Sequence, residues 1–153
     1  MARRLRFRPN VAAILRRADG RILIGERSDA PGCWQFPQGG RKRRETPEQA
    51  LARELMEELA LAPASYRCVE QRGPYRYRFA DGYTKAGFDG QEQAYFLLDL
   101  IADDESAVNV ATAQPEFRAV RWVDPREFEL DWLPAFKRET YRQVLRDFFG
   151  VML

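Results

Sequence analysis

The chain has 153 residues, 45% hydrophobic and 12% aromatic, with 25 basic against 23 acidic side chains. That length fits one domain, expected to span residues 1–153, and the aromatic content speaks against disorder. Histidine is absent and only Cys33 and Cys68 carry thiols, which argues against tetrahedral zinc, histidine-based triads and a disulfide framework.

Along the chain, the N-terminus is basic but lacks the apolar core of a signal peptide, and the longest clean apolar run, residues 94–98, is too short to span a bilayer. A soluble cytoplasmic protein is expected. Residues 11–15 read as a buried strand, and Ala18-Asp19-Gly20 marks a hairpin turn before a strand at 21–25. A Pro/Gly-rich loop covers 28–32, a short strand is predicted at 33–36, and Pro37-Gln38-Gly39-Gly40 should break it. Arg41, Lys42, Arg43 and Arg44 then continue as a polar loop. Thr46 as N-cap, Pro47 at the first helical position and Gln49 completing a capping box predict a helix over 47–59. Leu51, Leu55 and Leu59 give it one apolar stripe. Further strands are predicted at 66–71, 75–79, 93–101 and 117–123, with a helical turn at Asp124-Pro125. A second helix at 134–149 carries Tyr141, Val144, Leu145 and Phe148 on one face. The expected fold class is α/β (α+β), a mixed sheet sandwiched between helices.

The first helix also carries Glu54, Glu57 and Glu58, which fall on one face at spacings of three and four. Carboxylates so close repel unless a positive charge neutralises them, and a hard divalent cation with oxygen ligands does this naturally. Glu-x-x-Glu-Glu alone is most often a solvated acidic face. Its context changes that reading: Gly39, then Glu45 after five residues, then Arg53-Glu54-Leu55 after seven more, then Glu57-Glu58 and Leu61. Arg53 is placed to hold the carboxylates together, with Glu45 as a supporting acid.

This series, residues 39–61, resembles the Nudix box, Gly-x5-Glu-x7-Arg-Glu-U-x-Glu-Glu-x-Gly-U with U apolar, and departs from it only at Ala60. Alanine there either keeps a left-handed helix end at a cost of roughly 1 kcal/mol or lets the helix run on slightly. The resemblance implies a Nudix fold and metal-assisted hydrolysis of a phosphoanhydride. Magnesium, with manganese as a substitute, would be held by Glu54, Glu57, Glu58 and the Gly39 carbonyl. Glu57 or Glu58 would orient or deprotonate the attacking water.

Substrate choice lies outside the box. Arg8-Pro9-Asn10, Trp34-Gln-Phe-Pro-Gln-Gly-Gly40, Gly90-Gln91-x-Gln93, Pro115-Glu116-Phe117, Arg121-Trp122-Val123 and Phe136-Lys137-Arg138 look like the bacterial RNA pyrophosphohydrolase branch of that family. That branch removes pyrophosphate from 5′-triphosphorylated RNA, and its close relatives cut dinucleoside polyphosphates. The resemblance makes Glu116 a further metal-ligand candidate. It also implies that Arg8, Arg27, Gln38, Phe136 and Lys137 contact substrate, Phe136 packing on a base. Readout of duplex DNA and membrane binding are not expected, and monomer and homodimer are both open. A non-catalytic Nudix domain would be expected to lose acidic ligands, yet the box glutamates are present. Arginines interleaved with aromatics in Tyr75-Arg-Tyr-Arg-Phe79 fit base stacking, although such alternation is more often an amphipathic strand.

Overall fold

The computed structural model describes residues 3–101, 107–112 and 115–153. Among these, β1 (Phe7–Arg16), β2 (Ile22–Arg27), β3 (Trp34–Gln35), β4 (Gln38–Gly40), β5 (Tyr66–Arg78), β6 (Gly90–Leu100) and β7 (Phe117–Val123) form one mixed sheet. Helices α1 (Pro47–Leu59) and α2 (Ala135–Phe149) cover its two faces. β1 and β6 run parallel through ten paired positions, from Phe7 opposite Gly90 to Arg16 opposite Asp99. All other pairings are antiparallel.

The apolar run of β1 follows from burial on both sides. Val11, Ala13 and Leu15 pack with Phe96, Leu98 and the α1 stripe of Leu51, Leu55 and Leu59. Ala12 and Ile14 pack with Tyr95, Leu97 and Tyr141, Val144 and Leu145 of α2. Alternate residues of one strand therefore belong to different cores.

β1 and β2 share the pair Arg16–Ile22, after which β4 takes the edge of β1 and β3 takes the edge of β2. Two strands joined at one end and wedged apart at the other leave a cleft, and the functional candidates gather along it. The expected break at residues 37–40 is instead β4, because Asn10, Val11 and Ala12 offer an open strand edge that Gly40, Gly39 and Gln38 fill.

The strands predicted at 66–71 and 75–79 are one edge strand. Register shifts between Cys68 and Glu70 and between Arg72 and Tyr75 let β5 pass Pro74 without losing its pairing to β6. β1 and β6 start earlier than predicted since Phe7–Asn10 pair with Gly90–Gln93. The capping box forms as expected: Thr46 Oγ1 accepts from the Gln49 amide at 3.1 Å, and Gln49 Oε1 accepts from the Thr46 amide at 2.9 Å. At the other end of α1, Ala60 adopts the left-handed conformation (φ 52°, ψ 34°), so the helix stops where a glycine would stop it.

Candidate active site

The leucine stripe fixes the rotation of α1, which turns Glu54 and Glu58 toward the sheet and leaves Glu57 exposed. Arg53 organises this face. Its Nε and Nη2 donate to both oxygens of Glu45 at 2.7 and 2.9 Å, Nη1 donates to Glu54 at 2.8 Å and to Glu57 at 3.3 Å, and Nη2 also reaches the Gly40 carbonyl at 2.9 Å. One guanidinium thus ties three carboxylates to β4. Hydrogen bonds from Arg53, then from the Lys42 amide, hold the Glu45 carboxyl down at about 2.

Gly39 faces α1 beside its partner Val11, and a Cβ there would run into the Glu54 carboxylate. Glycine is needed for that close approach. Glu58 is 2% exposed, and neither of its oxygens meets a hydrogen-bond partner. Burial, then the charges of Glu116 and Glu54, push its carboxyl up to about 10. A buried carboxyl among other carboxylates either keeps its proton or faces a cation. Among the described residues no three acidic or thiol side chains are already drawn into a metal cage, because Arg53 engages Glu54 and Glu57. The donor set still suits a hard cation: an orphaned buried carboxyl, a second carboxylate against a glycine backbone, and oxygen chemistry throughout.

Glu116 comes from a different element. It precedes β7, and its carbonyl accepts from the Ser28 amide at 2.8 Å, which fastens it to the loop after β2. The Phe117 ring lies flat over Gly25, where any side chain would displace it. Partial desolvation, then Glu54, raises the Glu116 carboxyl, so the loop acid and the helix acids share one field. Arg27, expected to meet substrate, is braced by Asp29 through Nε at 2.8 Å and Nη2 at 2.6 Å. Its Nη1 is outside that pair.

The α2 face of the cleft is cationic and aromatic. Lys137 is 6% exposed, and its ammonium donates to Gln35 Oε1 at 3.0 Å and lies 6.0 Å from the centre of the Tyr77 ring. Read in isolation it is a solvated charge; here burial, then Arg27, lowers it to about 8. Phe136 packs in a cluster with Tyr77, tilted at 5.8 Å, and Phe79, edge-on at 6.2 Å, and is only partly buried. The guanidinium of Arg8 lies where a Cβ on Gly40 would point. Gln38 is bound within the protein: its Oε1 accepts from Asn10 Nδ2 at 2.9 Å, and Asn10 Oδ1 accepts from Gln93 Nε2 at 2.9 Å. Gln91 and Gln93 are buried with unpartnered side-chain oxygens. The arginines of the 75–79 alternation point outward, Arg76 to Glu92, while Tyr75 and Tyr77 are buried, so this segment is an amphipathic strand. Gln35 carries no local signal in the sequence for its contact with Lys137, whereas Gln91 and Gln93 stand out as two glutamines on the same face of a strand otherwise made for burial.

Such a helix-borne acid cluster on a mixed sheet between two helices defines a class, and the NUDIX domain family matches residues 6–148. The chain belongs to that family, and it is a pyrophosphohydrolase enzyme. Among its relatives, the RNA pyrophosphohydrolase of Hahella chejuensis is 39% identical, with 95% of this chain and 92% of the relative covered. That of Pseudomonas paraeruginosa is 40% identical over 92% of this chain and 91% of its own. Solved structures show the same fold at lower identity. The E. coli dihydroneopterin triphosphate pyrophosphohydrolase superposes with a TM-score of 0.70 at 20% identity, covering 95% and 97% of the two chains. A C. elegans Ap4A hydrolase superposes at 0.65 with 18% identity, covering 94% and 98%.

Proposed function

We propose that this chain, acting as one catalytic domain in the cytoplasm, removes pyrophosphate from the 5′-triphosphate end of RNA and leaves a 5′-monophosphate. The observation that carries the reading is that Glu54 of α1, Glu116 and Arg27 lie within one another's electrostatic reach, with Lys137 near Arg27 and Phe136 packed on Tyr77 beside it. That pairing suits a polyphosphate with a base attached. Similarity to relatives named RNA pyrophosphohydrolase over nearly their whole length supports RNA as the carrier of that triphosphate.

A divalent cation, magnesium with manganese as a substitute, bound by Glu54, Glu57, Glu58, Glu116 and the Gly39 carbonyl would neutralise phosphate charge and acidify a water. The protein's own residues do the rest. Arg53 keeps Glu54 and Glu57 oriented, with Glu45 fixing Arg53 from behind. Glu57 or Glu58 takes the proton of the attacking water. Lys137, Arg27 and Arg8 hold phosphate oxygens, and Phe136 offers its ring to a base.

The test is turnover of 5′-triphosphorylated RNA and diadenosine tetraphosphate side by side with magnesium or manganese. RNA carrying a 5′-monophosphate is expected as the main product, and Glu57→Gln or Glu58→Gln should cut the rate by about 10²–10⁴-fold. Efficient cleavage of the dinucleotide with negligible RNA turnover would overturn the substrate. Full activity in both variants would overturn the mechanism.

A further inference from the structure

The hairpin between β5 and β6 is far better anchored than a solvent loop needs to be. Asp89 at its base accepts from the Arg6 amide at 2.8 Å and from Arg3 Nη1 at 3.1 Å, and its own amide donates to the Arg6 carbonyl at 2.8 Å. The Phe79 amide donates to the Asp89 carbonyl at 2.9 Å. Near the tip, Lys85 and Phe88 exchange both backbone hydrogen bonds, at 3.0 and 2.9 Å. Arg6 covers the Phe88 ring at 5.0 Å, while Phe79 packs against both Tyr83 and Phe136. These contacts carry the tip away from its own strands and over the cleft, where Lys85 lines a space of about 400 Å³ with Arg27, Ser28, Asp29, Pro115 and Glu116.

A lysine at a hairpin tip is ordinarily a solvated charge. Lys85 differs in what surrounds it. Among the described residues it has no ion-pair partner, and Asp29, one of the two acids lining this space, is already engaged by Arg27 through two bonds. Its charge is felt on both walls, by Glu116 and by Lys137, in each case after the larger influence of desolvation. Two cations, Arg27 and Lys85, thus line one space together with Asp29 and Glu116, and Arg27 is already held by Asp29. The Lys85 ammonium is left as the cation there able to meet an entering anion.

We propose that Lys85 is a phosphate-binding, specificity-determining residue, delivered by the β5–β6 hairpin to the side of the triphosphate opposite the α1 carboxylates. This rests on the reading of the cleft as a polyphosphate site. It gives the hairpin a function: the ammonium selects substrates by the number of phosphates spanning from the acidic cluster to the tip. A 5′-triphosphate reaches Lys85, and a 5′-hydroxyl end does not.

The test uses one RNA sequence carrying either a 5′-triphosphate or a 5′-hydroxyl, with binding measured without added metal over a range of salt. Lys85→Gln should weaken the triphosphorylated RNA about tenfold and reduce the dependence of log affinity on log salt by about one unit, with the hydroxyl-ended RNA unchanged within twofold. Lys85→Arg should restore most of the loss. In turnover the Gln variant should lose through KM rather than kcat. Triphosphate binding equal to that of the native chain, or an equal loss for both RNA ends, would overturn the proposal. Failure of the substrate reading shows separately, as native protein that leaves the triphosphorylated RNA uncut while the binding comparison is still read.

Discussion

Lys137 stands in the sequence as an ordinary charge between Phe136 and Arg138, yet it ends 6% exposed with its ammonium against Gln35. Burial, then Arg27, lowers it from 10.5 to about 8. Between those values the unfolded chain holds a proton that the folded chain has released, so this residue makes stability rise with pH. Lys137→Met removes that dependence. Its stability relative to the native chain should therefore fall by about 2–3 kcal/mol between pH 8 and pH 10, measured by urea unfolding at each pH. A difference flat with pH would mean that Lys137 titrates normally. Arg53 makes the opposite case for legibility. Its spacing from Glu57 already assigned it to the carboxylates, and the bonds to Glu45, Glu54 and Glu57 agree. Local helical geometry decides that contact, whereas the burial of Lys137 depends on a strand 102 residues away in sequence.

At the scale of elements, α1 was readable to its ends because every signal for it is local: the Thr46–Gln49 box, Pro47 and the leucine spacing. Its stop shows what a single departure from a motif costs. Ala60 keeps the left-handed geometry, and its amide still reaches the Met56 carbonyl at 3.1 Å. Ala60→Gly should relieve that conformation and raise stability by about 0.5–1 kcal/mol, the gain being reduced by the extra freedom of glycine in the unfolded chain. Thermal unfolding should show a rise of a few degrees. An unchanged or lower midpoint would mean the helix end is not strained. β4 and β5 were less legible. A Pro-Gln-Gly-Gly stretch becomes a strand only because β1 leaves an edge open, and Pro74 is tolerated because β5 is an edge strand that can bulge.

For the whole molecule, the decisive feature is how distant segments meet at the cleft. Glu116 lies fifty-eight residues beyond Glu58 in the sequence, and Phe117 must lie over Gly25 for β7 to bring it there. Gly25→Ala would place a Cβ 2.5–2.7 Å from ring atoms of Phe117. Overpacking of that kind costs about 1–3 kcal/mol. The expected outcome is that loss in chemical denaturation together with reduced hydrolysis, because β7 cannot shift without moving Glu116. Full activity with lowered stability would separate Glu116 from the site. No helix among the described residues is long and apolar enough to cross a membrane.

By itself the sequence determined α1, its glutamates, Arg53 and the buried run of β1, and through its resemblance to the Nudix box it implied the reaction class. These depend on interactions within a few residues, where spacing and geometry are nearly the same statement. Only the tertiary structure decided that Lys137 is buried, that Gln38 is bonded to Asn10, that Glu58 has no hydrogen-bond partner, and that the β5–β6 hairpin carries Lys85 over the cleft. Each of those depends on which distant strands become neighbours, a choice made by burying two apolar faces of one sheet at once.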